Sequence, residues 1–240
     1  MKNNLLRVLA ILIFSIGVLS GMAFAVAGSL ADMESSFYGF NSYGNDPTTA
    51  MHCPVLLNRS EAGTITIKMK NTSDINIRPN LRFQVSNEGV FRSEAAHLSL
   101  EPGQSESLEW TVGSEDMVLN LFIFAKMFTF ASYPVQDVEQ TCGILVFDLP
   151  WFSGTGLTIT AIALCLVGMG TGIFLWMAAH KAKKYKAMEA LPAMIALAAV
   201  VLADLLSILI AWWLLGIVLS VLSLILVGVI IGNLVTGEKA

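Results

Sequence analysis

Charge is scarce in this sequence. Only 13% of its 240 residues are Asp, Glu, Lys or Arg, against 55% that are hydrophobic, whereas a soluble domain is about a quarter charged. Mean hydropathy is +0.69, so lipid is the expected solvent for much of the chain. No stripe of Lys and Arg interleaves with aromatics, and capture of nucleic acid by counterion release requires such a cluster. Also missing are a Ser-His-Asp order, a paired-carboxylate motif, a phosphate-binding glycine loop and Cys/His spacing for zinc. No nucleic-acid partner, catalytic residue, cofactor or metal is therefore expected, and the chain reads as a non-enzyme.

The few charges are unevenly placed. From Asp32 to Pro150 there are 15 acidic and 7 basic residues, a balance of −8, and elsewhere 3 acidic and 7 basic, +4. That difference suggests two regions facing different compartments. The three cysteines follow the same division: Cys53 and Cys142 lie in the acidic region and Cys165 in an apolar run. One bridged pair, Cys53–Cys142, and one buried thiol is the simplest partition.

Residues 1–31 carry Lys2 and Arg7 ahead of an uncharged run, and read as a first transmembrane helix, a signal anchor. The alternative is a cleaved signal peptide, since Ala23-Phe24-Ala25 and Ala25-Val26-Ala27 fit the small-x-small rule. Residues 32–52, rich in Ser, Gly, Asn and Tyr, read as a linker.

From Cys53 the period becomes two. Gly63-Thr64-Ile65-Thr66-Ile67-Lys68-Met69-Lys70 alternates as a half-buried strand does. Similar runs recur at 81–85, 96–100 and 108–112, bounded by Asn87-Glu88-Gly89, Glu101-Pro102-Gly103 and Gly113-Ser114-Glu115-Asp116. With Val55–Leu57, Val118–Met127 and Ile144–Leu149 the count is about seven strands over residues 53–150, as in an immunoglobulin-like β-sandwich.

After Pro150-Trp151 the chain is apolar again. Spans are expected at 155–179, 188–210 and 214–235, separated by a basic loop at 180–187 and a turn near Trp212-Trp213. Lys181, Lys183, Lys184 and Lys186 in that loop mark the cytoplasmic side by the positive-inside rule. The fold class expected is thus an α+β membrane protein: an extracytoplasmic sandwich on a four-helix transmembrane bundle, with both termini cytoplasmic.

The stretch from Ser60 to Val112, with Gly63-Thr64-Ile65-Thr66-Ile67, Asn71-Thr72-Ser73-Asp74 and Leu100-Glu101-Pro102-Gly103-Gln104-Ser105, resembles the immunoglobulin-like domains of the CARDB and NEW3 type on prokaryotic surface proteins. The resemblance implies a fold and no activity. The order of helix, large outer domain, helix, short inner loop and helical pair also resembles the claudin and calcium-channel-gamma plan. That family's Trp and paired Cys in the first outer loop are missing.

Several residues invite a sharper reading. A Cys53–Cys142 bridge would close a loop of about 90 residues, worth roughly 4 to 5 kcal/mol in the chain-entropy model. A copper site of cupredoxin type needs two His, a Cys thiolate and usually a Met. The acidic region offers His52 and His97, with no His between Cys142 and the following span. Asp204 stands alone in the third span, where an ionisable group is a functional candidate unless it is hydrated or bonded to Ser207 or a neighbouring helix. Gly168, Gly170 and Gly172, with Thr160 and Gly156, form one small-residue stripe, and Gly228 and Gly232 another. Such stripes let helix backbones approach closely, within the chain or against another subunit. Asn58-Arg59-Ser60 and Asn71-Thr72-Ser73 match the glycosylation sequon.

The function expected is non-catalytic: an accessory or assembly subunit presenting its sandwich for protein contact, with membrane lipids and a protein partner or second copy as its associates. The rival is a small transporter or channel component using Asp204. A sensor would need a cytoplasmic output module, which the basic loop and the short tail are too small to contain.

Overall fold

The computed structural model describes residues 2–40, 48–89, 91–130, 137–179, 184–210 and 212–236. In chain order these form α1 (Lys2–Phe37), β1 (Thr49–His52), β2 (Leu56–Asn58), β3 (Gly63–Lys70), β4 (Asn80–Val85), β5 (Arg92–His97), β6 (Ser105–Val112), β7 (Phe122–Phe130), β8 (Val138–Phe147), α2 (Gly154–Ala179), α3 (Lys184–Leu209) and α4 (Trp213–Thr236). They fall into two compact units, Leu30–Leu157 and Met1–Ser29 with Thr158–Ala240.

The first unit is a sandwich of two sheets, ordered β1-β3-β6 and β2-β8-β7-β4-β5. Neighbours are antiparallel except β2, which runs parallel to β8. Alternation in β3 is the local cause: Ile65, Ile67 and Met69 point into the core while Thr64, Lys68 and Lys70 are exposed. The second sheet answers with Leu81, Phe83, Val85, Ile123, Met127 and Ile144. Phe83 of β4 stacks on Trp110 of β6 with centroids 4.6 Å apart, joining the two sheets. Each such fully buried side chain contributes about 1.5–3 kcal/mol.

Three sequence expectations need correction in this unit. Residues 32–52 are not simply a linker: α1 continues through Phe37, and Thr49–His52 is a strand paired with β3. The helix persists because Asp32 has a partner, its Oδ1 accepting the Gly143 N–H of β8 at 2.9 Å. Secondly, the strand expected at 96–100 is Arg92–His97, because β4 pairs from Asn80↔His97 to Val85↔Arg92; past Pro79, which has no N–H, pairing resumes as the Ile77↔Leu100 bridge. Thirdly, the run expected from Val118 becomes a strand only at Phe122. Leu119 and Asn120 adopt φ of 54° and 55°, turning the chain back so that Val118 bridges Phe122.

Asp116 is fully buried in this unit. Its Oδ2 accepts the Gly113 N–H at 3.1 Å and lies 3.4 Å from Arg92 Nη2. Burial pushes its carboxyl above the usual carboxylate range, opposed by the Gly113 N–H and the Arg92 charge.

Four helices are long and apolar enough to cross a membrane, over Leu5–Phe37, Gly154–Ala179, Ala190–Ile208 and Trp213–Ile230. α3 begins at Lys184, inside the stretch expected to be a loop, while 180–183 lie outside the described residues. The core of the helical unit includes Ala10, Phe14 and Val18 of α1, Cys165 and Met169 of α2, and Leu197, Ala198 and Val201 of α3.

Candidate functional site

In the sandwich, Cys53 follows β1 of one sheet and Cys142 lies in β8 of the other. The two are bridged, with Cα atoms 6.5 Å apart and 89 residues of separation. Both pack against the hydrophobic core, and the bonded sulfurs leave no thiolate for copper. Among the described residues no group of three His, Cys, Asp or Glu could hold a metal ion.

Next to the bridge, the backbone of α1 lies on Gly143. A Cβ built on Gly143 would come 2.0 Å from the Ala31 carbonyl oxygen and 2.8 Å from Asp32 N. Ala31 and Phe40 pack there with Val118, Phe122 and Phe124. Further along β7 the same outward face carries Lys126, Phe128 and Phe130. Phe128 and Phe130 stack at 6.0 Å, and Lys126 lies over the Phe128 ring and pairs with Glu139 at 2.8 Å.

The two sequon asparagines are buried. Asn58 Nδ2 donates to the carbonyls of Leu149 and Phe152, and Asn71 Nδ2 to those of Ile75 and Leu100. In each case the serine two residues on donates its N–H and Oγ–H to the Asn Oδ1. The Asn-x-Ser spacing here builds a turn, and a glycan would remove one of two used donors on a side chain with no open side.

At the start of α2, Ser153 Oγ accepts the Gly156 N–H at 3.0 Å, a helix cap. Glu61 Oε2 accepts the Gly154 N–H at 2.7 Å, placing a carboxylate on the positive end of the helix. Gly154 is required here, because its Cβ would sit 2.2 Å from the Leu56 carbonyl oxygen.

Within the helical unit, the glycine stripe of α2 meets α1. A Cβ on Gly168 would lie 2.8 Å from Gly17 Cα, and one on Gly172 would lie 2.5 Å from Phe14 Cβ. Gly17 is reciprocally placed, since a Cβ built on it would lie 2.6 Å from Met169 N, while Gly21 abuts the buried Cys165. Ser20 Oγ donates to the Ala161 carbonyl at 3.0 Å across the same seam. Sequence reading missed the α1 half of this seam, although Gly17 and Gly21 show the same four-residue spacing. Gly170 is turned away, with no described residue within 4 Å of a Cβ built on it.

On α4, no described residue lies within 4 Å of a Cβ on Gly228, and the surroundings of Gly232 lie outside the described residues. The close approach on α4 belongs to Gly216. Its Cβ would fall 2.3 Å from Ser29 Oγ and 2.9 Å from Ser207 Oγ.

That position belongs to a polar cluster around Asp204, which is fully buried. Asp204 Oδ2 accepts the Ser220 Oγ–H of α4 at 2.7 Å, and Ser207 Oγ donates to the Asp204 backbone carbonyl at 2.7 Å. Asp204 Oδ1, Ser29 Oγ and Ser223 Oγ are buried with no hydrogen-bond partner among the described residues. Gly216, Ser220 and Ser223 share one face of α4 by their three- and four-residue spacing, the signal from which this half of the cluster was readable.

No family model matches the chain, and no curated protein matches it in sequence. Among solved structures it is similar to the CARDB domain of a Pyrococcus furiosus protein in complex with two metal ions, at 13% identity over 42% of this chain and 86% of that one, with a TM-score of 0.34. A solution structure of the same domain gives 12% identity, 41% and 92% coverage, and a TM-score of 0.34. A β-glucosidase from Listeria innocua in complex with glucose is 16% identical over 45% of this chain, with a TM-score of 0.31, and the chain spans 17% of the enzyme's length. Likeness at this level says nothing of chemistry.

Proposed function

We propose that this chain is a non-catalytic multi-pass membrane protein whose sandwich, immunoglobulin-like in its two-sheet order, is presented outside the cytoplasm for contact with another protein. The observation that carries this reading is the outward face of β7. Phe128 and Phe130 stack on a central strand where the hydrophobic core makes no use of them, and Phe130 is half exposed. Aromatic side chains on a rigid scaffold are the usual energetic centre of a protein interface. The test is affinity purification from native membranes in mild detergent, with quantitative mass spectrometry, comparing wild type with Phe128→Ala/Phe130→Ala. A stoichiometric partner that the double variant loses supports the reading. Equal recovery from both proteins, or a homo-oligomer alone, counts against it.

A second reading, a transporter or channel component, is favoured by one specific observation. Around Asp204, oxygens from α1, α3 and α4 lie buried without partners among the described residues, and oxygen ligands suit small hard cations. Flux of protons or sodium into liposomes holding the purified protein, lost in Asp204→Asn, would support it. Equal flux in wild type, Asp204→Asn and empty liposomes would remove it.

A further inference from the structure

One corner of the sandwich exposes large apolar side chains that the fold holds outward. Leu119, Leu121, Leu149, Trp151 and Phe152 come from two chain segments, and Trp151 is 89% exposed. Hydrogen bonds tie both segments to Asn58-Arg59 and to the end of β8. The Leu121 carbonyl accepts the Val146 N–H at 2.7 Å, Arg59 Nη2 donates to Asn120 Oδ1 at 3.2 Å, and the Arg59 N–H reaches the Phe147 carbonyl at 2.8 Å. Asn58 Nδ2 bonds the carbonyls of Leu149 and Phe152.

The backbone itself helps to present this surface. Leu119 and Asn120 both lie in the left-handed region, which costs a non-glycine residue roughly 1 kcal/mol or more. A leucine there gains nothing from the core, since its side chain is 60% exposed. The same corner is where α2 starts, with the Gly154 N–H held by Glu61 two residues after Phe152.

We infer that this corner is a membrane-docking surface, with Leu119, Leu121, Trp151 and Phe152 seated in the headgroup layer of the bilayer that α2 enters. The inference rests on the reading of α2 as a membrane span. α2 is 26 residues long, about 39 Å, which exceeds a hydrocarbon core of about 30 Å. Its first turn and the residues just before it therefore fall in the interfacial layer, about 5 to 7 Å deep on each side. Asn58, bonded to Leu149 and Phe152, is held near that depth, and its neighbour Arg59 is bonded to Asn120 between Leu119 and Leu121. Trp is the residue that layer prefers, and exposed Leu side chains beside it gain from the acyl boundary what they cannot gain from water. β3 starts next to this corner and carries the chain about 25 Å along its eight residues, so the turn containing Asp74 marks the far end of the sandwich.

Site-directed spin labelling of the full chain in phosphatidylcholine vesicles tests this. In a Cys165→Ala background, single labels at Leu119→Cys and Trp151→Cys are compared with Asp74→Cys at the far end and Leu164→Cys in the middle of α2. The expected result is an oxygen-to-nickel-chelate accessibility ratio at 119 and 151 several-fold above that at 74 and approaching that at 164. Water-like values at 119 and 151 with a lipid-like value at 164 overturn the inference and leave the span intact. A water-like value at 164 overturns both. Labels at 119 and 151 shielded from both reagents mean a protein covers the corner, which also overturns the inference.

Discussion

Inside the sandwich, bulky side chains meet across the gap between two sheets, as Phe83 does with Trp110. In the helical unit glycines bring helices close together, Gly17 against Gly168 among them, with hydroxyls and one carboxylate bonded between helices. Both regions are rich in Leu, Ile and Val, yet use them differently. A sandwich in water is held by removing apolar area from solvent. Helices that cross a membrane, as these four are long and apolar enough to do, would gain little that way, and would depend on close approach and on polar bonds. Where α1 enters the sandwich unit it combines both means, with Ala31 against Gly143 and Asp32 bonded to the same residue.

The sharpest test of this contrast is to unlink the sandwich. Replacing Cys53 and Cys142 by Ala removes an 89-residue cross-link, which should cost the sandwich transition about 4 kcal/mol and leave the helical transition where it was. Thermal unfolding in detergent, followed by Trp fluorescence and by far-ultraviolet dichroism, separates the two. A common downward shift would show that the units melt together and that the division into two means of packing is not energetic.

A smaller loss is expected from Gly143→Ala. The added methyl meets a backbone oxygen that cannot swing aside, so a destabilisation of about 1 to 3 kcal/mol should appear in the same melt. Among the helices, Gly17→Ala and Gly228→Ala gain the same helix propensity, up to about 1 kcal/mol, but only Gly17 has a neighbour to collide with. Gly228→Ala should raise the helical transition and Gly17→Ala should lower it. If both raise it, the α1–α2 backbones are not in contact.

The smallest effect concerns pH. Asp116 keeps its proton in the folded state at pH values where the unfolded chain has lost it, because burial raises its pKa. Its contribution is therefore present below the ordinary value of 3.8 and is lost as pH rises through the raised one. Subtracting the Asp116→Asn melting curve from that of wild type at each pH should show wild type losing ground from pH 4 upward. A difference that grows in favour of wild type would mean that Arg92 outweighs the burial.

How much of this was legible beforehand depended on how local the cause was. β3 and β6 announce themselves by alternation, since each buries one face. β1 does not, because Thr49–His52 is a strand only through its pairing with β3. Asp32 and Glu34 read as the end of an apolar helix, and nothing near them in sequence tells of the Gly143 N–H that lets α1 continue. The Asp204 cluster was half readable. Asp204 and Ser207 stand out in an apolar run, but Ser220 and Ser29 come from other helices, and Ser207 serves the backbone carbonyl rather than the carboxylate.

The buried sequons bear on how the protein can be made. With the sandwich outside the cytoplasm, as proposed above, oligosaccharyltransferase in a eukaryotic secretory pathway, which acts on the nascent chain before it folds, would meet Asn58 and Asn71 while they are still accessible. Sugar added then would block the bonds from Asn58 to Leu149 and Phe152 and from Asn71 to Leu100. A yeast or insect host should therefore yield modified, retained material, with folded protein recovered only from bacterial membranes or from a host treated with a glycosylation inhibitor. Mutating Ser60 and Ser73 to silence the sequons would not be neutral either, because those hydroxyls hold the two asparagines in place.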